Sequence, residues 1–221
     1  MINSEINSEL ISVRSRAAAL TLSLTLCAIV ALAAPARALE EQAGEADAIK
    51  GCEQRICTML LQKTATGGDL KCALTKTWAQ STIKDAESRT VKWSWGDARC
   101  TVDLHVPRAL IAAAMTEKTY KFHLPPTTAR CVVEQDGAVR PVTAILSPKI
   151  VFKDGKAEKV WVNLKSIEGP AAIKLTLQTA ASMEDTLGLF QRPMLKAINR
   201  FIGRHCPAAY PQATAAKAPG K

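Results

Sequence analysis

Six of the seven cysteines, three histidines and a handful of tryptophans are the residues on which chemistry could rest. Cys52, Cys57, Cys72, Cys100, Cys131 and Cys206 all follow residue 38. A structural zinc site prefers short C-x2-C or H-x3-H pairs, and a dithiol redox centre needs C-x-x-C. Neither spacing occurs, so metal and redox roles fall behind disulfide bonds, for which six cysteines allow 15 pairings. Cys52 and Cys57 are five apart on one helical pattern, too far along it to bond each other. Cys100 and Cys131 sit on the apolar register of two strand-like segments, where a cross-strand bridge fits. Cys206 would tie the last helix to the first helix or to the loop after it.

Among groups that titrate, His105 and His123 are the pair of interest. Both fall on the polar side of strand-like segments that could be neighbours, and Asp103 is two residues from His105. Such a trio could bind a metal or trade a proton, whereas two solvated sheet residues need no function. His205, beside Cys206 at a helix C-terminus, is explained by the dipole that favours a cation there. Nucleophile elbows, H-E-x-x-H and phosphate-loop glycine patterns are missing, and Gly67-Gly68 reads as a turn. Trp93 and Trp95 share one side of an extended segment. Exposed, they could stack on sugars or insert at a membrane surface; buried, they supply core volume to a chain with only 5% aromatics. Trp161 lies opposite Val160, Val162 and Leu164 in register, which points to a second covered face or a contact patch.

The elements that position these residues follow from hydrophobic period. Ile49, Cys52, Ile56, Cys57, Leu60 and Leu61 recur at helical steps, giving an amphipathic helix that ends before Gly67. Residues 39–48 read as a flexible lead-in to it. Residues 100–106 and 120–124 alternate apolar and polar, as strands of a sheet covered on one face do. Arg108 to Met115, after Pro107, is a short helix between them. Asp136-Gly137 and Asp154-Gly155 are hairpin turns joining residues 129–134, 139–152 and 157–165 into a meander, with Pro141 and Pro148 marking an edge or bulges. Ile173, Leu175 and Leu177 read as a further strand. From Ser182 a long C-terminal helix, kinked at Pro193, carries Leu187, Phe190, Met194, Ile198, Phe201 and Ile202 on one side and Arg192, Lys196, Arg200 and Arg204 on the other. That basic side could lie on anionic lipid, but the apolar stripe is expected to pack on the sheet.

The expected fold is therefore α+β: one antiparallel meander of about six or seven strands. An N-terminal and a long C-terminal helix pack on its apolar face, fastened by disulfides. Residues 39–206 form a single domain and residues 207–221, rich in Pro and Ala, a disordered tail. Arg14 and Arg16 precede an apolar run from Ala17 to Ala34 that ends in Ala36-Arg37-Ala38, the layout of a cleaved signal peptide over 1–38. Cys27 follows Leu26, so no lipoprotein attachment motif is present. An exported chain meets the oxidising surroundings that disulfides need. After residue 38 there are 26 basic and 18 acidic residues, a formal charge of +8. Inside a cell that charge would suggest nucleic acid. Outside it points to an anionic envelope component, a lipid or a protein partner.

Cys52-x4-Cys57 followed by a glycine-containing loop and Cys72 resembles, over about twenty residues, the cysteine run of TrbM-type exported proteins of conjugation systems. The resemblance stops before the strand-rich remainder and implies no site residue. The reading that fits best is a non-enzymatic periplasmic or secreted accessory or binding protein for an apolar or anionic ligand, without cofactor and without a membrane span after cleavage. The alternatives are a purely structural envelope protein, or a hydrolase or metalloenzyme built on His105, His123 and Asp103.

Overall fold

In the computed structural model, residues 39–85, 92–188 and 191–215 are described. Residues 1–38, expected to be a cleaved signal peptide, lie outside them, as do Phe190 and residues 216–221 of the expected tail. Helix α1 (Glu45–Gln62) leads to strand β1 (Leu70–Trp78), the short helix α2 (Gln80–Asp85), β2 (Ala98–Val106), α3 (Arg108–Thr116) and β3 (Thr119–His123). Then come β4 (Thr127–Gln135), β5 (Ala138–Leu146), β6 (Lys149–Lys153), β7 (Lys156–Trp161) and β8 (Leu164–Glu168). The chain closes with α4 (Ala171–Leu187), α5 (Gln191–Arg200), a π-helical turn (Phe201–His205), α6 (Cys206–Ala209) and α7 (Gln212–Ala215). The class is α+β with antiparallel pairing throughout, as the hydrophobic period implies.

The single meander is corrected: the described residues form two sheets, one of five strands in the order β1-β2-β4-β5-β8 and one of three in the order β3-β6-β7. Both Asp-Gly turns form with positive φ at both residues, 53° and 72° at Asp136-Gly137, 49° and 74° at Asp154-Gly155, as a type I′ hairpin requires. What splits the sheet is Ser147-Pro148. The expected long strand 139–152 breaks there into β5 and β6, each entering a different sheet. Proline's missing N–H and fixed φ make it a natural point for a strand to change partners.

One face of the five-stranded sheet is apolar, the other polar. The row Thr75, Thr101, Arg130, Thr143 and Glu168 crosses all five strands on the polar side. The alternate residues face helices. Leu70, Cys72 and Val106 pack beneath α1 with Cys52, Cys57 and Leu60. Ala98, Val133, Val142 and Ile167 pack with Trp95 and with Ile173 of α4. Burying such side chains contributes roughly 1.5–3 kcal/mol each.

Residues 171–187 correct a second expectation, since Ile173, Leu175 and Leu177 are helical rather than a strand. Three alternating apolar residues satisfy both periods over so short a span. The longer pattern decides: Ile173 and Leu177 share a face with Ala180, Ala181 and Glu184, while Leu175 is 65% exposed. The long C-terminal helix is also interrupted, and at Gly188 (φ 64°) rather than at Pro193. Glycine supplies the left-handed C-cap, and Pro193 falls in the first turn of α5, where no intrahelical N–H is lost.

Neither end is as loose as expected. In the lead-in, Leu39 N–H donates to Asp97 Oδ2 at 3.1 Å and the Glu40 carbonyl accepts from Arg99. Glu45 is 3% exposed and already helical. At the other end α6 is helical and Tyr210 packs on the core.

Three disulfides staple this framework: Cys52–Cys72 joins α1 to β1, Cys57–Cys206 joins α1 to α6, and Cys100–Cys131 bridges directly opposed residues of β2 and β4. These bonds belong to a chain that folds in oxidising surroundings. Among the described residues no helix is long and apolar enough to cross a membrane.

Candidate functional site

The inner face of the three-stranded sheet does not close against its neighbours. β3 turns Tyr120 and Phe122 inward, β6 turns Ile150 and Phe152, β7 turns Ala157 and Val160. Opposite them stand α1, α3 and the C-terminal helices. Between lies a cleft of about 480 Å³. Ile56 and Leu60 come from α1, Ile111, Ala114 and Met115 from α3, Phe122, Ile150 and Phe152 from the sheet, and Ala197, Ile198, Phe201 and Ile202 from α5 and the π turn. Every one of these side chains is aliphatic, thioether or phenyl. The cleft can hold an apolar ligand; it offers no side-chain donor, acceptor or titrating group to act on a bond. Its volume falls in the roughly 300–1,000 Å³ range of small-molecule sites.

The cleft keeps its width because its walls are pinned outside it. On one side, Asn199 lies along β7, its Oδ1 accepting from Ala157 N–H at 2.8 Å and its Nδ2 donating to Ala157 O at 2.9 Å. That amide takes the place of a fourth strand and ties α5 to the sheet edge. On the other, Cys57–Cys206 fixes the chain end to α1. Beside it, Glu53 Oε1 is 2.7 Å from His205 Nε2 and accepts from Tyr210 OH at 3.0 Å. The hydrogen bond to His205, against burial and with help from Tyr210, holds the Glu53 carboxyl below its usual range. Burial, and then Glu53, pushes the Tyr210 hydroxyl up. The wider π turn returns Cys206 N–H to Phe201 O while Phe201 and Ile202 both reach the cleft.

The residues singled out for chemistry do not gather at one site. His105 and Asp103 stand on the polar face of the five-stranded sheet, and His105 Nε2 is 2.9 Å from Asp69 Oδ2. Asp69 also accepts Arg108 N–H at 3.0 Å, at the start of α3, and these two bonds hold its carboxyl below the usual range. His123 is in the other sheet. Among the described residues no hydrogen bond joins any two of His105, His123 and Asp103, and no three His, Cys, Asp or Glu side chains gather as a metal site. Trp95 is buried, and Trp93 meets it edge-on at 4.9 Å and donates from Nε1 to Gly96 O at 2.8 Å. These two rings belong to the core cluster with Val133 and Ile173. Trp161 is half-buried on the outer face of the three-stranded sheet, directly across β6 from His123, with Lys149 between.

Sequence reasoning missed the cleft. Its α3 wall, Ile111-Ala112-Ala113-Ala114-Met115, reads only as an apolar connecting helix, and the one available signal is that such a helix must bury itself against something. It also missed Asp69, Asn199 and Glu53, polar residues whose partners are 36 to 157 residues away. The chain matches no protein-family model, no curated protein and no solved structure.

Proposed function

We propose that this chain is a non-enzymatic exported binding protein of the cell envelope that holds an elongated apolar ligand, such as a single acyl chain, between α1, α3, α5 and the three-stranded sheet. One observation carries the reading: a cleft of about 480 Å³ whose lining is wholly apolar, inside a framework with three disulfides. A protein whose role is mechanical alone gains from filling such a space, since unfilled apolar volume costs stability. The separation of His105 from His123 supports binding over hydrolysis. The signal-peptide layout of residues 1–38 and the formal charge of +8 after it fit an envelope location.

Native mass spectrometry of protein purified from its own envelope tests this. A retained apolar mass, released by organic extraction, is the expected result. The extracted protein should then bind the fluorescent fatty acid parinaric acid saturably. Ile198→Trp, which pushes bulk into the cleft without removing a hydrogen bond, should weaken that binding by tenfold or more. No retained mass together with no saturable probe binding would refute the carrier reading and leave a structural envelope protein.

A further inference from the structure

The outer face of the three-stranded sheet is as charged as its inner face is apolar. β3, β6 and β7 carry five lysines (Lys121, Lys149, Lys153, Lys156, Lys159), one glutamate and no arginine. Register sets Lys121 opposite Val151 and Val151 opposite Lys159, while His123, Lys149 and Trp161 form the next row. The one glutamate, Glu158, lies 4.0 Å from Lys153 at the hairpin end. An open depression of about 400 Å³ is lined by Lys121, His123, Lys149 and Trp161 together with Asn163 and Asp185. The Asp185 carboxylate is engaged by the backbone N–H groups of Val162 and Asn163 at 2.9 and 3.0 Å, so it is committed to the β7–β8 turn.

We propose that this face docks the protein on an anionic phospholipid surface, with Trp161 at head-group depth and Lys121, Lys149 and Lys159 over the phosphates. Charge complementarity names the partner and the type of cation narrows it. Recognition of one phosphate or carboxylate favours the planar, bidentate fork of arginine; flexible ammonium groups spread over three strands suit a diffuse anionic sheet. A half-exposed tryptophan set among lysines is the side-chain pairing of a membrane interface. The proposal does not depend on what occupies the cleft, although docking here would hold the cleft one sheet away from the bilayer.

Sedimentation with vesicles of phosphatidylcholine, with and without phosphatidylglycerol, provides the test. Binding should require phosphatidylglycerol, weaken with added salt, and blue-shift an emission component that Trp161→Phe removes. Each lysine replaced should weaken binding by about fivefold, so K121E/K149E/K159E should lose more than a hundredfold. The same variant should keep its melting temperature and its parinaric acid affinity, which separates failure of docking from failure of the cleft. Undiminished vesicle binding by the triple variant would overturn the proposal. So would attachment to free phosphate or acidic polysaccharide without attachment to anionic vesicles.

Discussion

Removing the Cys57–Cys206 bond, as a Cys57→Ala/Cys206→Ala pair, should destabilise the protein more than removing either other bond. The bond spans 149 residues, against 20 for Cys52–Cys72 and 31 for Cys100–Cys131. In the chain-entropy account these separations correspond to about 5, 3 and 4 kcal/mol. The other two bonds already shorten the covalent ring that Cys57–Cys206 closes, to roughly 110 residues, but the dependence is logarithmic and the figure falls by only about 0.3 kcal/mol. Both sulfurs are fully buried, so the void they leave adds to the cost. For a domain of this size about 5 kcal/mol corresponds to a fall of roughly 10–20 °C in melting temperature. Calorimetry of the three double variants under non-reducing conditions gives the ranking directly. A smaller fall for Cys57–Cys206 than for Cys52–Cys72 would refute the entropic reasoning, and no fall in any variant would refute structural bonds altogether.

Two further outcomes follow from buried polar groups. Burial pushes the Glu45 carboxyl up, but Thr77 N–H and Oγ1 (2.5 and 2.9 Å) and Lys76 Nζ (3.3 Å) outweigh it, and the pKa lies below the usual range. A carboxylate depressed on folding adds stability above its unfolded value, about 4.3, and that stability is lost as pH falls through the folded value. Glu45→Gln should therefore cost about 1.5–3 kcal/mol at neutral pH and flatten the acid limb of a urea-unfolding series; an unchanged acid limb would contradict it. Asn199→Leu strips the β7 edge of its substitute strand and leaves the buried Ala157 N–H without its acceptor, at a cost of about 1–3 kcal/mol. Exchange at the Ala157 amide should accelerate in that variant, and equal protection in the two proteins would speak against the pin.

Local patterns carried well into the fold, and long-range geometry did not. The alternation in 100–106 and 120–124 names two strands because each keeps one wet face. The Asp-Gly turns name two hairpins because both residues must take positive φ. Residues 173–177 misled because three alternating apolar residues are too few to separate a period of two from 3.6. Pro148 was legible as an interruption, but whether a broken strand continues or changes sheet depends on partners elsewhere. The cleft was hidden for the same reason: Phe122, Met115 and Ile198 read as three ordinary core residues, and a space between them is a property of none of them. Trp161 shows the reverse, since its opposition to Val160 in register alone put it off the core side.

The order in which the sulfurs are made bears on how the molecule matures. A chain synthesised from its N-terminus presents Cys52, Cys57 and Cys72 long before Cys206, and joining neighbours in order of appearance would couple Cys52 with Cys57. The native set crosses that order: Cys57, about 1.4 helical turns from Cys52, takes its partner 149 residues further along the chain. Reaching this set asks either that Cys57 stay unpaired until Cys206 is present, or that an early Cys52–Cys57 partner be undone by thiol–disulfide exchange.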